Sequence, residues 1–210
     1  MHDTSELNAL IVRHIADLEA ALTQAKSQID GQLERAAAKI IEEKRRGFGW
    51  AGDINRTLEQ EQWFAPEEWR TADKSDNSFD LFFILHTRNG LEDYASETWL
   101  SYFVGVNGCE LAFLVESNAL KTSRWKTFLR EQENSIATLR DFGFACDLKR
   151  GHLALPIAFD QEAIAEAFEN EDVKEALAPM GDALDRIAEA KPVFDEILGQ
   201  LRTFAARQGP

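Results

Sequence analysis

The chain is 210 residues long, 44% hydrophobic and 29% charged, with a formal net charge of −14 at pH 7. Fourteen Phe and five Trp supply ample bulk for a packed core, which excludes wholesale disorder. The acidic balance argues against a general nucleic-acid binder, which needs cations to displace counterions from phosphate, and against docking on an anionic membrane surface.

The charge is unevenly spread. Residues 1–50 carry eight acids against seven bases, whereas residues 151–210 carry twelve against five. Cys109 and Cys146 are the two cysteines, and in a chain of this size they read as thiols of a reduced, cytoplasmic, bacterial-type protein. The start of the chain lacks the basic-then-apolar order of a signal peptide, and no apolar run approaches the ~20 residues of a membrane span.

The first element is a long amphipathic helix from about Glu6 to Arg46. Its apolar residues are Leu7, Leu10, Ile11, Ile15, Leu18, Leu22, Ala25, Ile29, Leu33, Ala36 and Ile40. From Ile11 onward they recur in alternating steps of four and three. The step from Ile29 to Leu33 breaks that alternation, where a coiled coil would stutter. Thr4 or Ser5 suits the cap, and Gly47-Phe48-Gly49 ends the helix. A rod of roughly 60 Å follows from 1.5 Å per residue. It is longer than one small domain needs, so it should pair with a second copy of itself or with the C-terminal helices.

Residues 53–62 read as a short helix. Trp63 to Arg70 reads as an edge strand or a loop, with Pro66 keeping it out of a sheet interior. Phe79 to His86 is a continuous apolar run and reads as a central strand. Thr98 to Val106 and Cys109 to Glu116 read as a hairpin around Asn107-Gly108, a strong turn signal. That register sets Leu100 opposite Val115 and Tyr102 opposite Phe113 on a core face. The other face carries Trp99, Phe103, Glu110 and Glu116 and is half covered.

Ser123 to Asp141 reads as one helix, and Phe142 to Ile157 as a second hairpin whose Pro156 marks an edge. Asp160 caps a helix that Pro179 and Gly181 end near Ala178. A last helix runs from Asp182 to Ala206, with Pro192 expected to kink it. The order implies an α+β fold: an antiparallel sheet of about five strands against helices. Three regions follow: the coiled-coil-like helix of residues 1–47, a core of residues 48–160, and acidic helices over residues 161–210.

No residue pattern carries a metal, cofactor or nucleophile, so no cofactor is expected and the chain reads more as a binding protein than an enzyme. The four histidines lack ligand spacing, and neither cysteine belongs to a C-x-x-C. Gly47 to Gly52 imitates a dinucleotide loop but follows a helix, which removes the geometry that such a loop needs. Asp80, Glu110, Glu116 and Lys121 lie where a metal-dependent nuclease keeps its carboxylates, without the E-x-K spacing.

Two binding surfaces remain. Trp50, Trp63, Trp69, Trp99 and Phe103 with Glu110 and Glu116 would form an aromatic groove suited to a basic peptide or a cationic small ligand. Glu162, Glu166, Glu169, Asp172 and Glu175 would form an acidic docking surface for a basic protein. The reading is therefore a protein-binding module of chaperone, adaptor or immunity type. Its alternatives are a nuclease with a degenerate carboxylate motif and a small-molecule sensor built on the tryptophans.

Overall fold

A computed structural model describes residues 4–58, 60–71, 78–88 and 96–207. The first helix is a long rod with two local irregularities. It comprises α1 (Thr4–Arg13), α2 (Ile15–Gln24), a π turn (Ala25–Ile29) and α3 (Asp30–Gly47). At His14 the backbone leaves helical dihedrals, yet its amide still donates to the carbonyls of Leu10 and Ile11 at 3.1 and 3.2 Å. The π turn accommodates an extra residue in one turn. It falls one turn before the long step between Ile29 and Leu33. The apolar seam thereby stays on one side of the rod, running from Leu22 through Ala25 into buried Leu33, Ala37 and Ile41.

Six strands form one antiparallel sheet in the order β1-β2-β3-β4-β6-β5. They are β1 (Ala51–Asp53), β2 (Trp63–Ala65), β3 (Phe82–Arg88), β4 (Glu110–Glu116), β5 (Ala145–Asp147) and β6 (His152–Ile157). Its inner face presents Phe64, Phe83, Leu85, Leu111, Phe113, Val115, Leu153 and Leu155, all buried. Against that face lies α8 (Ala178–Ala206), which also packs on α3. Phe194 of α8 stands 5.1 Å from Phe83, 5.1 Å from Phe144 and 6.0 Å from Trp69 between ring centres. The Trp69 indole N–H donates to Asp195 at 2.7 Å, so this aromatic knot is also tied by a hydrogen bond.

The fold class agrees with the sequence, but several local readings do not. Residues 98–106 are not a strand. Thr98 caps the short helix α4 (Trp99–Phe103), its hydroxyl accepting the Ser101 amide at 3.3 Å. Gly105 then turns the chain with φ 71°, and Asn107 and Gly108 follow at 52° and 78°. The Asn-Gly turn exists, but it joins a helix to a strand. The alternation of Leu100, Tyr102 and Val104 imitates a strand, and the cap overrides it. β4 therefore pairs with β3 and β6: Val115 meets Phe83, and Phe113 meets both Leu85 and Leu155. Cys109, Leu111, Phe113 and Val115 are nonetheless buried on one face, and Ala112 and Leu114 of the opposite face are buried as well.

β2 lies between β1 and β3, inside the sheet, with Pro66 just past its end. No helix forms over residues 54–58 or 60–62. The helix expected from Ser123 to Asp141 is two, α5 (Thr122–Arg130) and α6 (Glu133–Asp141), divided at Glu131 and buried Gln132. Asp160 caps α7 (Gln161–Glu169), accepting the amides of Glu162 and Ala163 at 2.8 and 3.1 Å. That helix ends at Glu169. Pro179 opens α8 rather than closing its predecessor, since a first-turn proline lacks only an amide that has no helical partner. α8 continues through Pro192 as one element. Pro156 lies beyond the reach of β5, whose pairing with β6 stops at Ala154.

Phe194→Ala removes the ring that joins α8 to the sheet. It is expected to cost about 3–5 kcal/mol, read as a lower urea midpoint with an unchanged slope.

Candidate functional site

The feature that stands out is an arm. Every residue from Ser5 to Gln24 is exposed. Leu7, Leu10, Ile11, Val12, Ile15, Leu18 and Leu22 are 39% to 74% exposed, although all but Val12 belong to the apolar seam. Together they leave roughly 600 Å² of apolar surface in water, the upper end of the largest patch on a typical monomer. At 1.5 Å per residue the arm extends roughly 30 Å beyond the core.

Its root is firmly held. Among the described residues Ala25 is the first that is buried. Lys26 pairs with Glu97 at 2.6 Å. The buried Asp30 carboxylate accepts the Leu100 amide at 2.8 Å, which pins the start of α4 to α3. One turn on, buried Glu34 accepts the Leu58 amide at 3.3 Å. The arm thus leaves a rigid base with its apolar face aligned with the core.

The aromatic groove expected from sequence is largely dispersed. Trp50 is buried and stacks on Phe64 with ring centres 5.9 Å apart, and Trp69 and Phe103 are buried in the core. Trp99 sits half-buried on α4, 6.0 Å from the Tyr102 ring. Glu110 and Glu116 stand at opposite ends of β4, about 20 Å apart at 3.3 Å per residue. Glu110 pairs with Arg88 at 2.7 Å, and Asp80 with Arg202 at 2.7 Å. The three carboxylates weighed for a nuclease are therefore not brought together. Among the described residues no three His, Cys, Asp or Glu side chains are placed to hold a metal ion.

Trp63 and Glu116 do approach one region, the outer face of the sheet. There Trp63 lies 5.3 Å from Phe79 and 6.3 Å from Phe82, ring centre to ring centre. A cleft of about 290 Å³ opens between Glu61, Trp63, Phe79, Phe82 and Asn118. Burial pushes the Glu116 carboxyl above its ordinary value, and the neighbouring Glu61 charge pushes it the same way. Glu61 and Phe82 were not legible as partners of this cleft, because both join it through tertiary placement.

The acidic residues gather more clearly. Glu162, Glu166, Glu169, Asp172 and Glu175 are all exposed. Asp172 and Glu175 line a groove of about 580 Å³ with Ile40, Glu43, Lys44 and Asp182. Lys44 is already bonded to Asp185 at 2.6 Å, and the Lys174 ammonium lies 3.9 Å from Glu43. The groove therefore keeps a surplus of negative charge. Glu43 comes from α3, and nothing in its local sequence marks it as part of this surface.

Among the described residues no helix is long and apolar enough to cross a membrane. The chain matches no protein-family model, no curated protein and no solved structure.

Because the folded Glu116 carboxyl titrates above the 4.5 of an ordinary glutamate, the folded state holds that proton more tightly than the unfolded chain. This contribution is complete below that value and is lost as the pH rises through the folded pKa. Glu116→Gln should therefore melt at a higher temperature than the parent at pH 8. The two melting curves should converge below pH 4, as followed by circular dichroism.

Proposed function

We propose that the protein is a non-enzymatic protein-binding module that works in the cytoplasm, of chaperone, adaptor or immunity type. The observation that carries this reading is the arm: seven large apolar side chains held in water on a helix with a braced root. Leaving such a surface open costs solubility, and burying it against another chain recovers the hydrophobic free energy that the core does not collect. Two cysteines without a disulfide, one of them buried, suit a reducing compartment.

The preferred client is basic. The groove between α3 and the start of α8, with the exposed acids of α7 beside it, supplies a negative field that steers a cationic chain and sets its on-rate. Because these carboxylates are exposed, the attraction is screened by salt.

A photo-reactive amino acid at Leu18 and another at Glu175 test the reading in the producing cells. Discrete crosslinked polypeptides are expected at both positions on irradiating the cells, and at Glu175 the yield should fall when a cell lysate is instead irradiated at raised salt. Absence of any crosslinked polypeptide at either position contradicts the reading.

A further inference from the structure

We infer that the occupant of the arm is the arm of a second copy of this chain, packed antiparallel to it. This rests on the protein-binding reading and names its partner at that surface.

Three observations lead there. The first is symmetry within the seam. A two-fold axis between His14 and Ile15 sets Leu7 against Leu22 of the second copy, Ile11 against Leu18, and Ile15 against His14. The seam reads nearly the same from both ends, so one arm is a template for another in reverse. Leu7, Ile11, Leu18 and Leu22 then meet large apolar residues, while Ile15 meets His14 and Leu10 meets Glu19 at the margin of the seam. Glu6, Arg13, Asp17 and Glu19 fall on the flanks.

The second is the space available. The exposed seam continues directly into the buried one, so from Ala25 onward its face is filled by this chain's own core. Glu97 pairs there with Lys26, and the amide of Leu100 is bonded to Asp30. A parallel partner would have to run its own residues after Ala25 through that volume. An antiparallel partner brings its first described helical turn, rather than its core, to the root beside half-buried Trp99 and Leu100. Each arm then lies in the angle between the other arm and its core.

The third is magnitude and charge. Two such arms face to face bury roughly 1,000 Å² in total, the lower bound for a biological interface, which suits a dimer that dissociates on dilution. A chain of net charge −14 repels its copy. Antiparallel arms hold the two cores at opposite ends, beyond the ~8 Å Debye length at physiological salt.

Light scattering on the full chain should give a mass twice 23.7 kDa at tens of micromolar, falling toward the single-chain mass on dilution. Leu18→Glu should weaken the dimer at least ~100-fold while the melting of the core is unchanged, because charge on a coiled-coil seam opposes pairing and exposed Leu18 lies outside the core. Orientation is read with Leu7→Cys and Leu22→Cys made separately, each with Cys146→Ser. A mixture of the two should oxidise to a crosslinked dimer, and neither alone should. Self-crosslinking of each variant alone overturns the antiparallel arrangement. A dimer that survives Leu18→Glu overturns the arm as its interface. A monomer at all concentrations removes the second copy as occupant. In that case crosslinks from Leu18 to a different polypeptide would leave the protein-binding reading standing.

Discussion

The apolar seam of the first helix is longer than anything this fold can set against it. The longest strands have seven residues and span about 23 Å, and six strands side by side span about 24 Å. Residues 4–47 at 1.5 Å each make a rod of about 65 Å. The sheet and α8 cover the second half of that rod and no more. A helix whose seam runs its whole length, on a core that covers half of it, presents the remainder to solvent. The arm is a consequence of this mismatch in length.

Why the boundary falls at Ala25 follows from the chemistry at the root. Asp30 and Glu34 are carboxylates one turn apart on the buried side of α3, and both accept backbone amides from other parts of the chain. Burying them is tolerable only because those amides satisfy them. In exchange they fix α4 and the loop before β2 against the helix. Below them the seam meets Phe64, Trp69 and Phe194 in one continuous core. Most of the aromatic residues are committed to that core, which leaves the outer sheet face with a small cleft and the acidic groove with carboxylates and few aromatics. The surfaces left open are thus distinct in kind: one carries an apolar seam, the other is lined by carboxylates.

How far the sequence could be read depended on whether the signal was local. The helix, its seam and the break in its period are periodic patterns, and they are found within a turn of where they were expected. Asp160 and the strand expected at residues 79–86, found at 82–88, are likewise local. The hairpin at Asn107-Gly108 failed because a five-residue helix and a strand of the same length bury similar side chains. What separated them was the Thr98 cap and the left-handed Gly105, both weak signals beside an Asn-Gly pair. Pro179 was read as a helix stop because proline marks both a start and an end, and which it is depends on the neighbouring helix. The site was harder still. Trp50 and Trp69 look like groove residues in sequence and are core residues in the fold. Glu43 and Glu61 join their surfaces only through long-range packing. The excess length of the helix is legible in the sequence, but which half is exposed is not, because Leu7 to Leu22 carry the same pattern as a buried seam. Only the height of the sheet decides which half is covered.

The account turns on whether the seam of residues 7–22 is buried by a second copy in solution. A lone helix of ~20 residues is marginal in water, so the backbone of a free arm should exchange its amide hydrogens quickly. The direct measurement is amide hydrogen exchange across the purified full chain as a function of protein concentration. The account predicts that amides of residues 7–22 are protected at high concentration and lose that protection on dilution, while those of α8 do not change. Unprotected amides along the arm at the highest concentration reached would contradict it.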